Sequence, residues 1–193
     1  MSSRILIVDD EESIRFTFEA FLVDEGYEVS TAMDLEGGMT LLDEEPFDLV
    51  FLDILLGRDN GLDALKACHE KQPHLPVVMI TGSPEIETAA EAVRYGAFDY
   101  IPKPVRQETL LRVAKMALQY KALLDQKERY RARLDAIFRS VREGIVTLDK
   151  GLRVLEFNQA AGNLFNWGKE VVGHPFEQVW KGDCSSCLEV LHK

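Results

Sequence analysis

Four carboxylates stand in a row at Asp9, Asp10, Glu11 and Glu12, directly after the apolar residues Ile5 to Val8. Side chains this close repel one another and resist burial unless something positive sits among them. Three other residues punctuate the ends of later apolar runs: Asp53 after DLVFL, Thr81 after PVVMI, and Lys103 after FDYIP. Asp9, Asp10 and Asp53 together make an all-oxygen site of the kind that holds Mg²⁺ with several waters retained, and Lys103 adds a second positive charge. Metal and ammonium beside a carboxylate neutralise an incoming phosphoryl group. Asp53 is the lone carboxylate at its run's end and so the expected nucleophile, with Thr81 and Lys103 placed to bind phosphoryl oxygens.

Such chemistry needs these residues at one edge of one sheet. The runs RILIV (4–8), YEVST (27–31), DLVFL (48–52), PVVMI (76–80) and FDYI (98–101) have the length of strands. Helical stretches lie between them: Glu12 to Glu25, Leu35 to Glu44, Leu62 to Lys71, Glu85 to Tyr95, and a long one from Val105. Gly26 and Gly96 stand where helix C-caps are expected. Strands apolar through their whole length, alternating with helices, predict an α/β fold with a five-stranded parallel sheet covered on both faces. In such doubly wound sheets ligands bind beyond the carboxyl ends of the strands, where the candidate residues fall.

Composition narrows the class. The 193 residues are 46% apolar and 28% charged, which suits a folded chain and excludes a disordered one. MSSRIL does not open a signal peptide, no run is long enough for a membrane span, and three cysteines do not form a disulfide framework, so a cytoplasmic location is expected. The net charge of −11 is unevenly spread. Residues 1–105 hold 22 acidic and 7 basic side chains, whereas 106–143 hold 5 and 10. The acidic first part argues against nucleic-acid binding there.

These residues carry a resemblance. The pair Asp9-Asp10, Asp53 in FDLVFLDILLGRDNGLDAL, Thr81 in VVMITG and Lys103-Pro104 in GAFDYIPKP closely resemble the receiver domain of two-component response regulators over residues 1–120. The resemblance implies that Asp53 accepts a phosphoryl group from a sensor histidine kinase or phosphotransfer protein. It implies that Asp10, Asp53 and the main-chain carbonyl of Leu55 ligate Mg²⁺ with Asp9 in support, and that Lys103-Pro104 is cis. It also implies a phosphoacceptor rather than an enzyme with a separate substrate, and a switch in which Thr81 moves toward the phosphoryl group while Tyr100 turns inward. One departure is visible: Leu56-Gly57 stand where receivers often carry Met-Pro, and the glycine is expected to loosen that loop.

From Leu110 a seven-residue repeat runs through Leu110, Ala117, Leu124, Arg131 and Phe138, and through Val113, Tyr120, Lys127, Leu134 and Val141. It predicts an extended fifth helix and linker over 105–141 that pairs with a second copy as a parallel coiled coil, hence a homodimer. Residues 134–193 resemble the first half of a PAS sensory domain: strand candidates Gly144 to Asp149 and Val154 to Phe157 flank an Asp149-Lys150-Gly151 turn, and a helix follows from Asn158. Only 60 residues are available for a domain of about 100, so the chain is expected to be a piece of a longer protein. Cys184-Ser-Ser-Cys187, with His192 alone beside it, is too sparse for a metal motif, and His69 and His74 read as surface residues.

A flavodoxin-like cofactor binder shares the alternation, but DDEES after the first strand would repel its phosphate. A haloacid-dehalogenase-like phosphatase needs a second Asp where Glu11 stands. The stretch ITGSPEIETAAEAVRYGAFDYIPKP looks most like receivers of transcriptional activators, with nucleic acid reached only through an output domain outside this chain. The alternative is the receiver and PAS portion of a sensor kinase or a cyclic-dinucleotide enzyme.

Overall fold

The computed structural model describes residues 2–56, 59–82 and 86–180. Gly57, Ser83, Cys184, Cys187 and His192 lie outside the described residues. The chain divides into two compact units, Met1–Gln126 and Lys127–Lys193.

In the first unit the strands are β1 (Arg4–Val8), β2 (Glu28–Ala32), β3 (Leu49–Asp53), the short β4 (Leu55–Leu56) and β5 (Asp59–Asn60), β6 (Val77–Thr81) and β7 (Asp99–Pro102). The helices are α1 (Glu12–Asp24), α2 (Leu35–Glu44), α3 (Gly61–Lys71), α4 (Ile86–Arg94) and the long α5 (Gln107–Ser140), which runs across the boundary between the units. The main sheet is parallel, in the order β2-β1-β3-β6-β7. Alternate strand residues feed two cores. Leu6, Val8, Val50, Leu52, Val77 and Met79 meet Leu42, Leu65 and Cys68 from α2 and α3. Ile5, Ile7, Phe51 and Ile80 meet Phe18 and Leu22 of α1 and Leu110, Val113 and Ala117 of α5. With β1, β3 and β6 buried on both faces, the sequence shows apolar runs there rather than alternation.

Two features differ from the sequence-based expectation. β4 and β5 form a small antiparallel ribbon, Leu55 opposite Asn60 and Leu56 opposite Asp59, and Leu56 is buried. The loosening expected at Gly57 falls outside the described residues. The second difference concerns α5. Leu110, Val113 and Ala117, predicted to face a second chain, are fully buried against their own sheet, because a parallel sheet must cover this face from within. The exposed large apolar residues of α5 are instead Met116, Tyr120, Leu123, Tyr130, Leu134 and Ile137, an alternating spacing of four and three interrupted only at Lys127.

In the second unit, β8 (Val146–Leu148) and β9 (Val154–Phe157) pair antiparallel around a turn in which Asp149 Oδ1 accepts from the amides of Gly151 and Arg153, both at 2.8 Å. Helix α6 (Gln159–Phe165) follows, then a 3₁₀ turn at Lys169–Val171 and the single-turn α7 (Phe176–Val179). Asn158 caps α6, with Oδ1 accepting from Ala161 N at 2.9 Å. Phe157, Phe165, Trp167, Phe176 and Trp180 form a chain of ring contacts with centroids 4.6–6.2 Å apart. No helix among the described residues is long and apolar enough to cross a membrane.

Candidate functional site

Register places the carboxylates. Val8 lies opposite Leu52 in the β1–β3 pair, so Asp9 and Asp53 are the next residues along two neighbouring strands and emerge at the same sheet edge. Asp9 is completely buried, Asp53 is 3% exposed, and Asp10 is exposed on the turn into α1. One carboxylate oxygen from each of the three lies within 4.8 Å of the others, a set suited to a hard cation with oxygen ligands.

Lys103 enters from the end of β7. Its amide donates to the Thr81 carbonyl at 2.6 Å, extending the β6–β7 ladder past the strand end, and the Lys103-Pro104 bond is cis. Its Nζ lies 2.8 Å from Asp53 Oδ2, 2.8 Å from Glu11 Oε1 and 3.0 Å from Asp9 Oδ2. Burial alone would push the Lys103 ammonium down, but its hydrogen bonds to Asp53, Glu11 and Asp9 hold it well above the ordinary lysine value. Burial pushes the Asp9 carboxyl up, and Lys103 only partly opposes this.

The remaining oxygens are unequally served. Asp53 Oδ1 accepts from the Leu55 amide at 3.2 Å, and Asp9 Oδ1 accepts from the Glu11 amide at 2.9 Å. Among the described residues, Asp9 Oδ2 has the Lys103 ion pair but no hydrogen bond of regular geometry. A buried carboxylate oxygen left in this condition, beside two more carboxylates, fits a cation completing the set.

Asp9, Asp10, Asp53 and Lys103 are thus brought together as the sequence predicts. Thr81 is buried at the end of the neighbouring β6. Leu55 is 62% exposed and adjoins the site through its amide. Tyr100 lies on β7 opposite Met79 of β6. It packs against the α2–α3 side of the core, and its hydroxyl is buried without a hydrogen-bond partner among the described residues.

Three supporting residues escape a reading of motifs. Glu11 pairs with Lys103 across 92 positions of sequence. Arg15 donates to the Asp9 carbonyl at 2.7 Å and so braces the turn carrying Asp9 and Asp10. Gly61 passes so near the acceptor strand that a Cβ there would lie 2.3 Å from the Asp53 carbonyl oxygen and 2.6 Å from Ile54 Cα. The preceding Asn60, which caps α3 through Leu62 N, was a local signal for the start of that helix.

The chain also matches known protein families and structures. The family model for the response regulator receiver domain matches residues 5–115, and a PAS domain model matches 132–192. The chain belongs to the response regulator receiver family and carries a PAS segment after it. It is 41% identical over 140 residues to the alginate biosynthesis transcriptional regulatory protein AlgB of Pseudomonas putida, covering 72% of this chain and 30% of that protein. It is 40% identical over 121 residues to the nitrogen assimilation regulatory protein NtrX of Azorhizobium caulinodans, covering 62% and 27%. Among solved structures, NtrX from Brucella abortus in complex with ADP aligns with a TM-score of 0.65 at 38% identity, over 78% of this chain and 33% of that one. A CheY-like receiver from Methanospirillum hungatei aligns at 0.61 and 34% identity, over 63% of this chain and 98% of that one. The chain therefore spans under a third of the length of these curated relatives.

Proposed function

We propose that the first unit receives a phosphoryl group on Asp53 from a sensor histidine kinase or a phosphotransfer protein and passes the signal along α5 toward the PAS segment. The observation carrying this reading is the position of Asp53 at a strand end, buried, with its carboxylate 2.8 Å from Lys103 and beside Asp9 and Asp10. Asp9, Asp10, Asp53 and the main-chain carbonyl of Leu55 are the proposed ligands of Mg²⁺, which when bound neutralises charge on the transferring group. Asp53 supplies the attacking oxygen. Lys103 binds one phosphoryl oxygen through its ammonium and the Thr81 hydroxyl donates to another, so that this chain's own residues orient the group and offset its charge. Tyr100 is the proposed switch residue: its buried hydroxyl, unpartnered among the described residues, marks a position that gains a hydrogen bond by moving.

A second copy of the chain is the proposed partner along α5. Exposed Met116, Leu123, Tyr130 and Ile137 alternate with Tyr120 and Leu134 at coiled-coil spacing, and Lys127 in that row would set the register. Names of the relatives support transcriptional regulation as the output, reached through segments outside this chain.

The test is labelling by acetyl phosphate with Mg²⁺, followed by phosphoprotein mass spectrometry. Wild type takes one phosphoryl group and Asp53→Asn takes none. Labelling of Asp53→Asn at normal stoichiometry would exclude Asp53 as the acceptor.

A further inference from the structure

A lysine ammonium has three N–H donors; that of Lys103 hydrogen-bonds to Glu11 and Asp53 and forms an ion pair with Asp9 at 3.0 Å. The Lys103 side chain is 12% exposed, against 0% for Asp9, 5% for Asp53 and 55% for Glu11. Asp9 and Asp53 are tied down further by main-chain amides, from Glu11 and from Leu55. Glu11 differs. It is the N-cap residue of α1, yet its side chain makes no capping bond to the helix amides and reaches to Lys103 instead. It is the one anion of the three able to swing into water without leaving a buried charge unpaired.

A phosphoryl group on Asp53 brings new anionic oxygens to an ammonium that already has three carboxylates within 3.0 Å. The new oxygens compete with those carboxylates for it. We propose that Glu11 is an internal competitor for Lys103: it holds the ammonium while Asp53 is unmodified and gives up its N–H when a phosphoryl oxygen arrives. The inference rests on the reading of Asp53 as acceptor and adds to it a residue that sets how readily the site fills. In the transfer from acetyl phosphate, an Asp53 oxygen forms the new O–P bond, the donor's P–O bond breaks with its electron pair passing to acetate, and Lys103 keeps its three protons. By linkage, the phosphoryl group displaces Glu11 as strongly as Glu11 opposes the phosphoryl group.

The test measures binding of beryllofluoride with Mg²⁺ by titration calorimetry on the whole chain, together with the initial rate of labelling by acetyl phosphate. Glu11→Gln and Glu11→Ala are expected to tighten beryllofluoride binding and speed labelling by about 3- to 5-fold, the scale of one exposed ion pair. Glu12→Gln removes the same charge one residue on, outside the Lys103 cluster, and is expected to leave both unchanged. In a Lys103→Met background the Glu11 substitutions are expected to have no effect, since the competition is for that ammonium. Equal gains from Glu11→Gln and Glu12→Gln, a Glu11 effect that survives Lys103→Met, or no gain at all would each overturn the proposal while Asp53→Asn still abolished labelling. Labelling that persists in Asp53→Asn would instead remove the reading beneath it.

Discussion

Each unit buries polar side chains, and the two do so in opposite ways. In the second unit Asn158 is 1% exposed and every bonding group of its amide is used. Its Nδ2 donates to the carbonyls of Glu143 at 2.8 Å and Val141 at 3.3 Å, while Oδ1 accepts from the amides of Ile145 and Ala161, both at 2.9 Å. In the first unit Asp9, Asp53 and Lys103 leave Asp9 Oδ2 without a regular hydrogen bond and crowd three anions around one cation. A neutral amide with all partners present ties the loop before β8 to helix α6 and has nothing left to give a ligand. A charged cluster that stays incomplete is costly to fold and is thereby ready to bind.

The sharpest test removes the satisfied group. Asn158→Ala leaves two amides and two carbonyls without their partner and should destabilise the second unit by about 3 kcal/mol. Hydrogen exchange reads this directly as lost protection at the Ile145 and Ala161 amides, and undiminished protection would show that Asn158 is no scaffold.

The matching change in the first unit should act in the other direction. Asp9→Asn removes a buried negative charge whose carboxyl burial already pushes up, while an amide oxygen can still accept from Glu11 N. Stability to urea should rise by about 1 kcal/mol, the usual scale of a stabilising substitution, as divalent-cation affinity falls. A loss of stability on the scale of the Asn158 change would dissolve the contrast between the two units.

Cys68 asks whether burial alone shifts a group that has no role in the site. Its thiol is 3% exposed in the α2–α3 core, and burial pushes it up to about 11 from an ordinary value of 9.0. A folded-state value above the unfolded one means that the folded chain holds the proton longer. Stability from this group is therefore intact below pH 9.0 and is lost as pH rises toward about 11, by about 1.4 kcal/mol per pH unit between those values. Comparing wild type with Cys68→Ala across that window isolates the slope from other titrations, and parallel curves would count against it.

The smallest expected effect lies at the mouth of the site. Leu55 is exposed and apolar beside Asp53, so it cannot orient a hydrolytic water. Leu55→Asn supplies an amide that can, and should shorten the life of the Asp53 phosphoryl group by about 5-fold, the worth of one net hydrogen bond. Equal half-lives in purified labelled protein would show that water access is controlled elsewhere.

The strands of the main sheet and the helices between them are legible in the sequence because a parallel sheet covered on both faces demands unbroken apolar runs, and RILIV, LVFLD and VVMIT supply them. Asp9, Asp53, Thr81 and Lys103 follow from the same runs, since each stands where a strand ends. Asn158 is legible too, as a capping residue before a helix of small side chains. Tertiary packing decided the rest. The β4–β5 ribbon has two-residue strands, too short to show any periodicity. The seven-residue repeat in α5 records burial without recording against what: the sheet takes Leu110, Val113 and Ala117, and rotates the exposed row onto Met116, Leu123, Tyr130 and Ile137. Gly61 gains its meaning from a backbone approach made only on folding, and Glu11 gains its meaning from a lysine 92 residues away. Local sequence sets which residues stand at strand ends and caps, because those depend on neighbours along the chain; which charges share a donor depends on distances across the sheet edge, and only the folded chain sets those.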